Sequence, residues 1–454
     1  MNWKKMLVAV VTVFIILIPF SVKATLPDPS PAASLPWKRE VVQGDIGSIS
    51  NLSVEFIGES QISILVYTIP GSERIYYAYN EIIPGTGNCG LNDSWFCGDY
   101  NTYTRDVDHS LSNIAAFANP FETNQLLLRL TYLHESNFLM RVNGFYDDDL
   151  GIDFSGYAPI IDLNIFGDTL IGVPSQLQEP QQLSITTYGD GMYKLVYRYF
   201  SGVVNPSCGM GKDYFQCDVI DSSMAAIGPP SLAISPIEEV VGIAYTKAGS
   251  LYYAHPVGID EGNCGPADSW RCAFIRTSGP DTFVVDGVDL EIQNTMQVAF
   301  LENKMNTSEI VLNLAKFVGK GYGNCGEFND WWCEEIESLG EDTRDYAFSL
   351  EIDPLEYPVI AYSYLENPLK LGLAYPTDRT GVSPGNCDNS SWFCQEIAGS
   401  SGILPSSYGE LTTFALSTVG LGFISYLQRI PSTMRTDLMI SYQEFTTYMP
   451  LITH

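Results

Sequence analysis

Residues 262–272 read Gly-Asn-Cys-Gly-Pro-Ala-Asp-Ser-Trp-Arg-Cys, and this stretch decides the fold because it recurs along the chain. The same opening Gly-Asn-Cys and closing Trp-x-Cys frame Gly87-Asn88-Cys89 to Trp95-Phe96-Cys97, Gly323-Asn324-Cys325 to Trp331-Trp332-Cys333, and Gly385-Asn386-Cys387 to Trp392-Phe393-Cys394. Cys208 to Phe215-Gln216-Cys217 is a looser copy. Upstream of Cys264 lie three short apolar runs separated by turn residues: Ser231-Leu232-Ala233-Ile234, Gly242-Ile243-Ala244-Tyr245 and Leu251-Tyr252-Tyr253-Ala254. Runs of this length, rich in β-branched and aromatic residues and cut by Gly, Pro, Asn and Asp, read as strands.

Working outward, the second run has counterparts ending in an aromatic at Tyr67, Tyr132, Tyr188, Tyr245, Phe300, Tyr362 and Tyr426, spaced 65, 56, 57, 55, 62 and 64 residues apart. The third run recurs as Ile75-Tyr76-Tyr77-Ala78 and Leu371-Gly372-Leu373-Ala374. Each repeat therefore supplies four strands, the fourth beginning at the aromatic-x-Cys. Four antiparallel strands per unit, repeated seven times, predict an all-β, seven-bladed β-propeller with disulfide-stapled loops in five blades. The rival arrangement, a row of separate β-sandwich domains, needs longer and more polar linkers than those between the repeats.

The ten cysteines form five close pairs: Cys89/Cys97, Cys208/Cys217, Cys264/Cys272, Cys325/Cys333 and Cys387/Cys394. Regular local pairs in an exported chain argue for disulfides. Zinc is disfavoured because Cys-x-x-Cys spacing is absent and none of the four histidines lies inside a pair. Each bridge closes a short loop and contributes about 2–3 kcal/mol in the chain-entropy model.

The beginning of the chain supplies the compartment. Lys4 and Lys5 precede the apolar run Met6 to Phe20, and Ser21-Val22-Lys23-Ala24 provides a small-residue cleavage site. The run is short for a membrane span, so residues 1–24 read as a cleaved signal peptide rather than an uncleaved anchor. Residues 25–36, rich in Pro and Ser, read as a linker, and residues 37–454 as the propeller. The expected location is secreted, extracellular or at the cell surface. A formal charge of −30, from 53 acids against 23 Lys and Arg, disfavours nucleic acid and anionic lipid as partners.

The pattern Ser-Leu-Ala, Ile-Ala-Tyr, Leu-x-Tyr-Ala and Gly-Asn-Cys…Trp-x-Cys resembles a group of exported bacterial repeat proteins. Their general plan is similar to that of sialidase-like propellers. The resemblance covers residues 37 to 450 and is sharpest in the first, fourth, fifth and sixth repeats. It implies the fold and carries no catalytic residue across.

Motifs for chemistry are sparse. The Asp-box Ser-x-Asp-x-Gly-x-x-Trp and the Gly-x-Ser-x-Gly elbow are both absent. The twelve arginines, among them Arg105, Arg198 and Arg344, could grip a substrate carboxylate only by converging in space. His109, His134, His255 and His454 stand in unrelated contexts. The recurring Trp-x-Cys tryptophans read as packing between repeats, with a carbohydrate-stacking platform as the alternative. Asp147-Asp148-Asp149-Leu150-Gly151-Ile152-Asp153 reads as a solvated loop, since its Gly is misplaced for an EF-hand and no closing Glu follows. Acids also recur between one repeat's last strand and the next repeat's first: Asp45, Asp108, Asp168, Asp281 and Asp342. They read either as turn formers or as an acidic ring at a channel mouth, with calcium as the candidate ion and no cofactor required. The expected function is a monomeric, non-enzymatic binding or scaffold protein for an extracellular glycan or protein. The alternative is a glycan-active hydrolase or lyase with carboxylates at the channel mouth.

Finally, Trp37-Lys38-Arg39-Glu40-Val41-Val42 resembles the fourth-strand stretch Trp270-Arg271-Cys272-Ala273-Phe274-Ile275. The seventh repeat ends without such a strand. Residues 37–42 are therefore expected to complete the last blade by pairing around Met439.

Overall fold

The computed structural model describes residues 37–443 except 48, 50, 58–61, 70–71, 73, 81–86, 91–92, 102–114, 119–124, 135–137, 148–150, 163–168, 173–180, 188–191, 201–214, 236–239, 342–346, 365–369, 381–383, 399–411, 417–421 and 431–434. Within residues 115–187 the strand backbones are described, and among the side chains only that of Leu128.

The described strands form seven antiparallel four-stranded sheets. Sheet 1 runs through Asn51–Ile57, Ile62–Thr68, Arg74–Asn80 and Trp95–Asn101. Sheet 2 comprises Ala115–Ala118, Gln125–His134, Phe138–Asp147 and Gly151–Asp162. Sheet 3 follows with Thr169–Gly172, Gln181–Thr187, Tyr193–Phe200 and Phe215–Ser223. Sheet 4 uses Ser231–Ile234, Val241–Lys247, Ser250–Pro256 and Trp270–Arg276. Sheet 5 uses Thr282–Ile292, Met296–Lys304, Glu309–Phe317 and Trp331–Glu341. Sheet 6 uses Phe348–Ile352, Pro358–Tyr364, Lys370–Pro376 and Trp392–Ala398. Helical structure among the described residues is confined to the single turns Pro266–Asp268 and Thr377–Thr380.

Sheet 7 joins the two ends of the chain. Thr412–Leu416, Gly422–Ile430 and Arg435–Gln443 take their fourth strand from Trp37–Gln43. The register sets Trp37 opposite Gln443 and Val41 opposite Met439. The pairing covers what would otherwise be an open strand edge.

Alternation along the strands builds the core. In Met296–Lys304, Val298 and Phe300 point into a cluster shared with sheet 4, whereas Ala299 and Leu301 point into one shared with sheet 6. Successive side chains leave a strand on opposite faces, so a sheet apolar on both faces must be sandwiched between two neighbours. The first strands of sheets 4, 5, 6, 7, 1 and 2 lie side by side, and that of sheet 3 lies against sheet 4 and the second strand of sheet 2. The aromatics that mark the repeat lie deep in these interfaces: Tyr67, Tyr245, Phe300, Tyr362 and Tyr426 are all buried.

Candidate functional site

The recurring Gly-Asn-Cys…Trp-x-Cys motif builds one loop frame, and the role of each residue is visible. A side chain on Gly262 would collide with the carbonyl of Trp270, and Gly87, Gly323 and Gly385 stand in the same relation to Trp95, Trp331 and Trp392. Asn263 closes the loop with both ends of its amide: Nδ2 donates to the Cys272 carbonyl at 2.8 Å, and Oδ1 accepts the Cys272 N–H at 2.7 Å. Asn88, Asn324 and Asn386 make the same pair of bonds to Cys97, Cys333 and Cys394. The disulfides Cys89–Cys97, Cys264–Cys272, Cys325–Cys333 and Cys387–Cys394 lock the frame. Cys217 is also disulfide-bonded, while Cys208 lies outside the described residues.

The loops of sheets 4, 5 and 6 also reach the preceding sheet. Gly265 N–H donates to the Ile220 carbonyl on the outer strand of sheet 3 at 3.0 Å, and Gly326 N–H to Ile275 of sheet 4 at 2.9 Å. Asn389 N–H donates to Ile336 of sheet 5 at 3.1 Å. Ile220, Ile275 and Ile336 all stand three residues after the second cysteine of their own loop. The loops thus occupy backbone acceptors on outer strands that would otherwise invite pairing with another chain.

The frame tryptophans are core residues. Trp95, Trp270, Trp331 and Trp392 are at most 2 % exposed. Trp270 packs edge-on against Tyr197 of sheet 3 at 5.2 Å and Trp331 edge-on against Tyr253 of sheet 4 at 5.5 Å, while Trp95 lies tilted against Phe423 of sheet 7 at 6.2 Å. Burial pushes the Asp218 carboxyl above its ordinary value, partly offset by the indole N–H of Trp270, 3.2 Å away. A stacking platform on these four rings is therefore ruled out.

Among the five connection acids, Asp45 is exposed and has left-handed backbone, φ 58°, a conformation Asp tolerates better than most residues. Its N–H donates to Asp437 Oδ1 at 2.9 Å. Burial acts to raise the Asp437 carboxyl, but the guanidinium of Arg435, at 2.5 and 2.8 Å, and the Asp45 N–H hold it below the usual range. Asp281 is exposed, and its carbonyl accepts the Met305 N–H at 2.8 Å. Asp108, Asp168 and Asp342 lie outside the described residues. In the acidic run, Asp147 and Gly151 face each other across the hairpin that joins two strands of sheet 2, and residues 148–150 are outside the description. Of the described residues, Glu337, Cys387 and Cys394 lie close enough together to suggest a metal site, but both sulfurs are committed to a disulfide.

An acid that sequence reasoning missed sits on the first strand of sheet 5. Asp289 Oδ1 accepts the hydroxyl of Ser231 from sheet 4 at 3.2 Å, and Oδ2 accepts the Leu350 N–H of sheet 6 at 2.7 Å. Ser231 Oγ in turn accepts the Leu290 N–H at 3.0 Å. One carboxylate thus ties the first strands of three consecutive sheets together. Burial pushes its pKa up to about 6, against hydrogen bonds that act to lower it.

What the frame displays differs from sheet to sheet. In sheet 5 it presents Tyr322, Trp332 and Phe328, which are 79 %, 47 % and 39 % exposed. At the corresponding positions sheet 4 carries Glu261, Arg271 and Ala267. The doublet Trp331-Trp332 was the available signal: only the first belongs to the buried Trp-x-Cys register, which leaves the second outward.

Among the described residues no helix is long and apolar enough to cross a membrane. The four described disulfides fit an extracellular protein.

The sequence matches no protein-family model and no curated protein. Solved structures of similar architecture exist at low identity. AofleA from Arthrobotrys oligospora is 9 % identical with a TM-score of 0.40, over 80 % of this chain and 90 % of that one. A K499G mutant of NanB sialidase from Streptococcus pneumoniae is 8 % identical with a TM-score of 0.39, over 89 % and 70 %. The soluble aldose sugar dehydrogenase of Escherichia coli is 12 % identical with a TM-score of 0.35, over 74 % and 98 %. Likeness at this level carries no inference about activity.

Proposed function

We propose that this chain is exported after removal of residues 1–24 and that its seven sheets are the blades of one closed seven-bladed propeller. We propose further that it works as a non-enzymatic binding or scaffold protein through its disulfide-framed loops. One observation carries the functional reading: a constant frame displays changing side chains. The Gly, Asn, Cys and Trp positions repeat, and their hydrogen bonds repeat with them. The residues held outward by that frame change from Glu261 and Arg271 to Tyr322 and Trp332. Rigid support for a variable surface lowers the entropy cost of ordering a binding loop. It adds nothing specific to bond making or breaking. The charge of −30 directs such a protein away from nucleic acids.

The test is to screen the purified full chain for retained binding on glycan and extracellular-protein arrays, alongside chromogenic glycosides. Retained binding without turnover is the expected result. Turnover of a glycoside without retained binding would instead support the hydrolase or lyase reading.

A further inference from the structure

The loop of sheet 5, residues 318–330, and the strand residue Trp332 carry three exposed aromatic side chains, Tyr322, Phe328 and Trp332, on a disulfide-locked frame. Tyr322 lies over Gly319, with Cδ2 3.9 Å from the place a glycine Cβ would occupy. In the neighbouring frame one long side chain spans the two corresponding positions. In sheet 4, Arg271 Nη2 donates to the Glu261 carbonyl at 3.2 Å, and these two residues correspond to Trp332 and Tyr322. Phe328 completes the set, and its carbonyl accepts the Gly321 N–H at 3.1 Å.

Two further observations bear on what such a surface binds. First, one ring already holds a cation of the protein's own: Lys320 Nζ stands 4.8 Å from the centroid of Phe328. Lys247 stands over Tyr252 in the same way at 4.7 Å. A cation over an aromatic face is attracted by the ring quadrupole, most strongly for Trp. Second, acids outnumber bases around the rings: Glu327, Asp330 and Glu334 stand against Lys320 and Lys316, the latter opposite Trp332 in the strand register, on a chain of net charge −30.

We infer that this surface docks a lysine- or arginine-bearing segment of a partner protein, whose cationic side chains lie on the exposed rings of Tyr322 and Trp332. The inference rests on the binding reading above and gives it a partner chemistry. Electrostatic attraction brings the basic segment to the acidic surface, and the two rings supply the short-range contacts.

The probe is a fluorescently labelled Arg-Gly nonapeptide, with its Glu-Gly counterpart as control, titrated against the full chain. Binding of the basic peptide alone is expected, weakening as salt rises from about 50 to about 300 mM. Trp332→Ala and Tyr322→Ser should each weaken it about three- to fivefold, with Trp332→Phe retaining most of the affinity. Ile259→Ser, on the loop of sheet 4, should leave it unchanged. Both rings are exposed, so the variants are expected to melt with the unmutated protein, and their thermal unfolding is recorded beside the titrations. Equal affinity of the ring variants and the unmutated chain would overturn the inference, as would failure of the basic peptide to bind. A preference for chito- or xylo-oligosaccharides that depends on Trp332 would also overturn it while leaving the binding reading intact. Glycoside turnover would count against the binding reading itself.

Discussion

Replacing Asp289 by Asn removes a charge from the junction of three sheets while leaving an acceptor for the Leu350 N–H, which lies 2.7 Å from Oδ2. The Asn amide can donate to Ser231 Oγ, so the linkage between sheets 4 and 5 also survives. What disappears is ionisation. Burial raises the carboxyl from 3.8 to about 6. Between these values the folded protein keeps a proton that the unfolded chain has released, so stability falls as pH rises through this window. The site's contribution is fully present below about pH 4 and lost above about pH 6. A displacement of about two pH units corresponds to about 3 kcal/mol, an upper figure because relaxation around the carboxylate reduces it. Urea unfolding followed by tryptophan fluorescence, at intervals from pH 4 to 7.5, gives the difference between variant and unmutated protein. The other carboxylates, common to both, cancel in that difference. Asp289→Asn should be more stable by about 2–3 kcal/mol at pH 7.5 and nearly equal at pH 4. Asp289→Ala, which strands the Leu350 N–H, should show no such gain. Parallel curves for Asp289→Asn and the unmutated chain would refute the reasoning, and so would a loss of stability in Asp289→Asn at pH 7.5.

Deleting residues 25–36 should leave the melting temperature nearly unchanged, whereas deleting 25–42 strips most of the fourth strand from sheet 7 and should lower it sharply; equal melting of the two truncations would show that this strand does not stabilise sheet 7. Trp331→Ala opens a cavity between sheets 4 and 5 and should cost about 3–5 kcal/mol, while Trp332→Ala on the exposed side should cost less than about 1 kcal/mol. Asn324→Ala removes both bonds to Cys333 and should cost about 1–2 kcal/mol by chemical denaturation, with the disulfide still intact on peptide mapping. If the connection acids gather a divalent ion, millimolar calcium should raise the melting temperature and Asp45→Asn with Asp281→Asn should remove the gain; no response in the unmutated chain leaves these residues as turn formers.

The repeat was legible from the residues because its causes are local. A strand needs a short run of apolar and β-branched side chains. A tight loop needs a glycine where the Trp270 carbonyl crosses, and a disulfide needs two cysteines a few residues apart. Those requirements recur within each repeat of about sixty residues and are written into its residue types, so the four strands per sheet and the local cysteine pairs could be read directly. The tertiary structure decided the following contacts between distant groups. Gly326 reaches Ile275 of the sheet before it, Asp289 spans from Ser231 to Leu350, and Asp45 meets Asp437 across 392 residues of chain. It also decided that Trp331 packs against Tyr253 of the preceding sheet, a partner its own repeat does not contain. Residue type determines what a side chain can do locally. Its partner, its burial and therefore its charge state depend on how neighbouring sheets are set against each other, a relation that no single repeat contains.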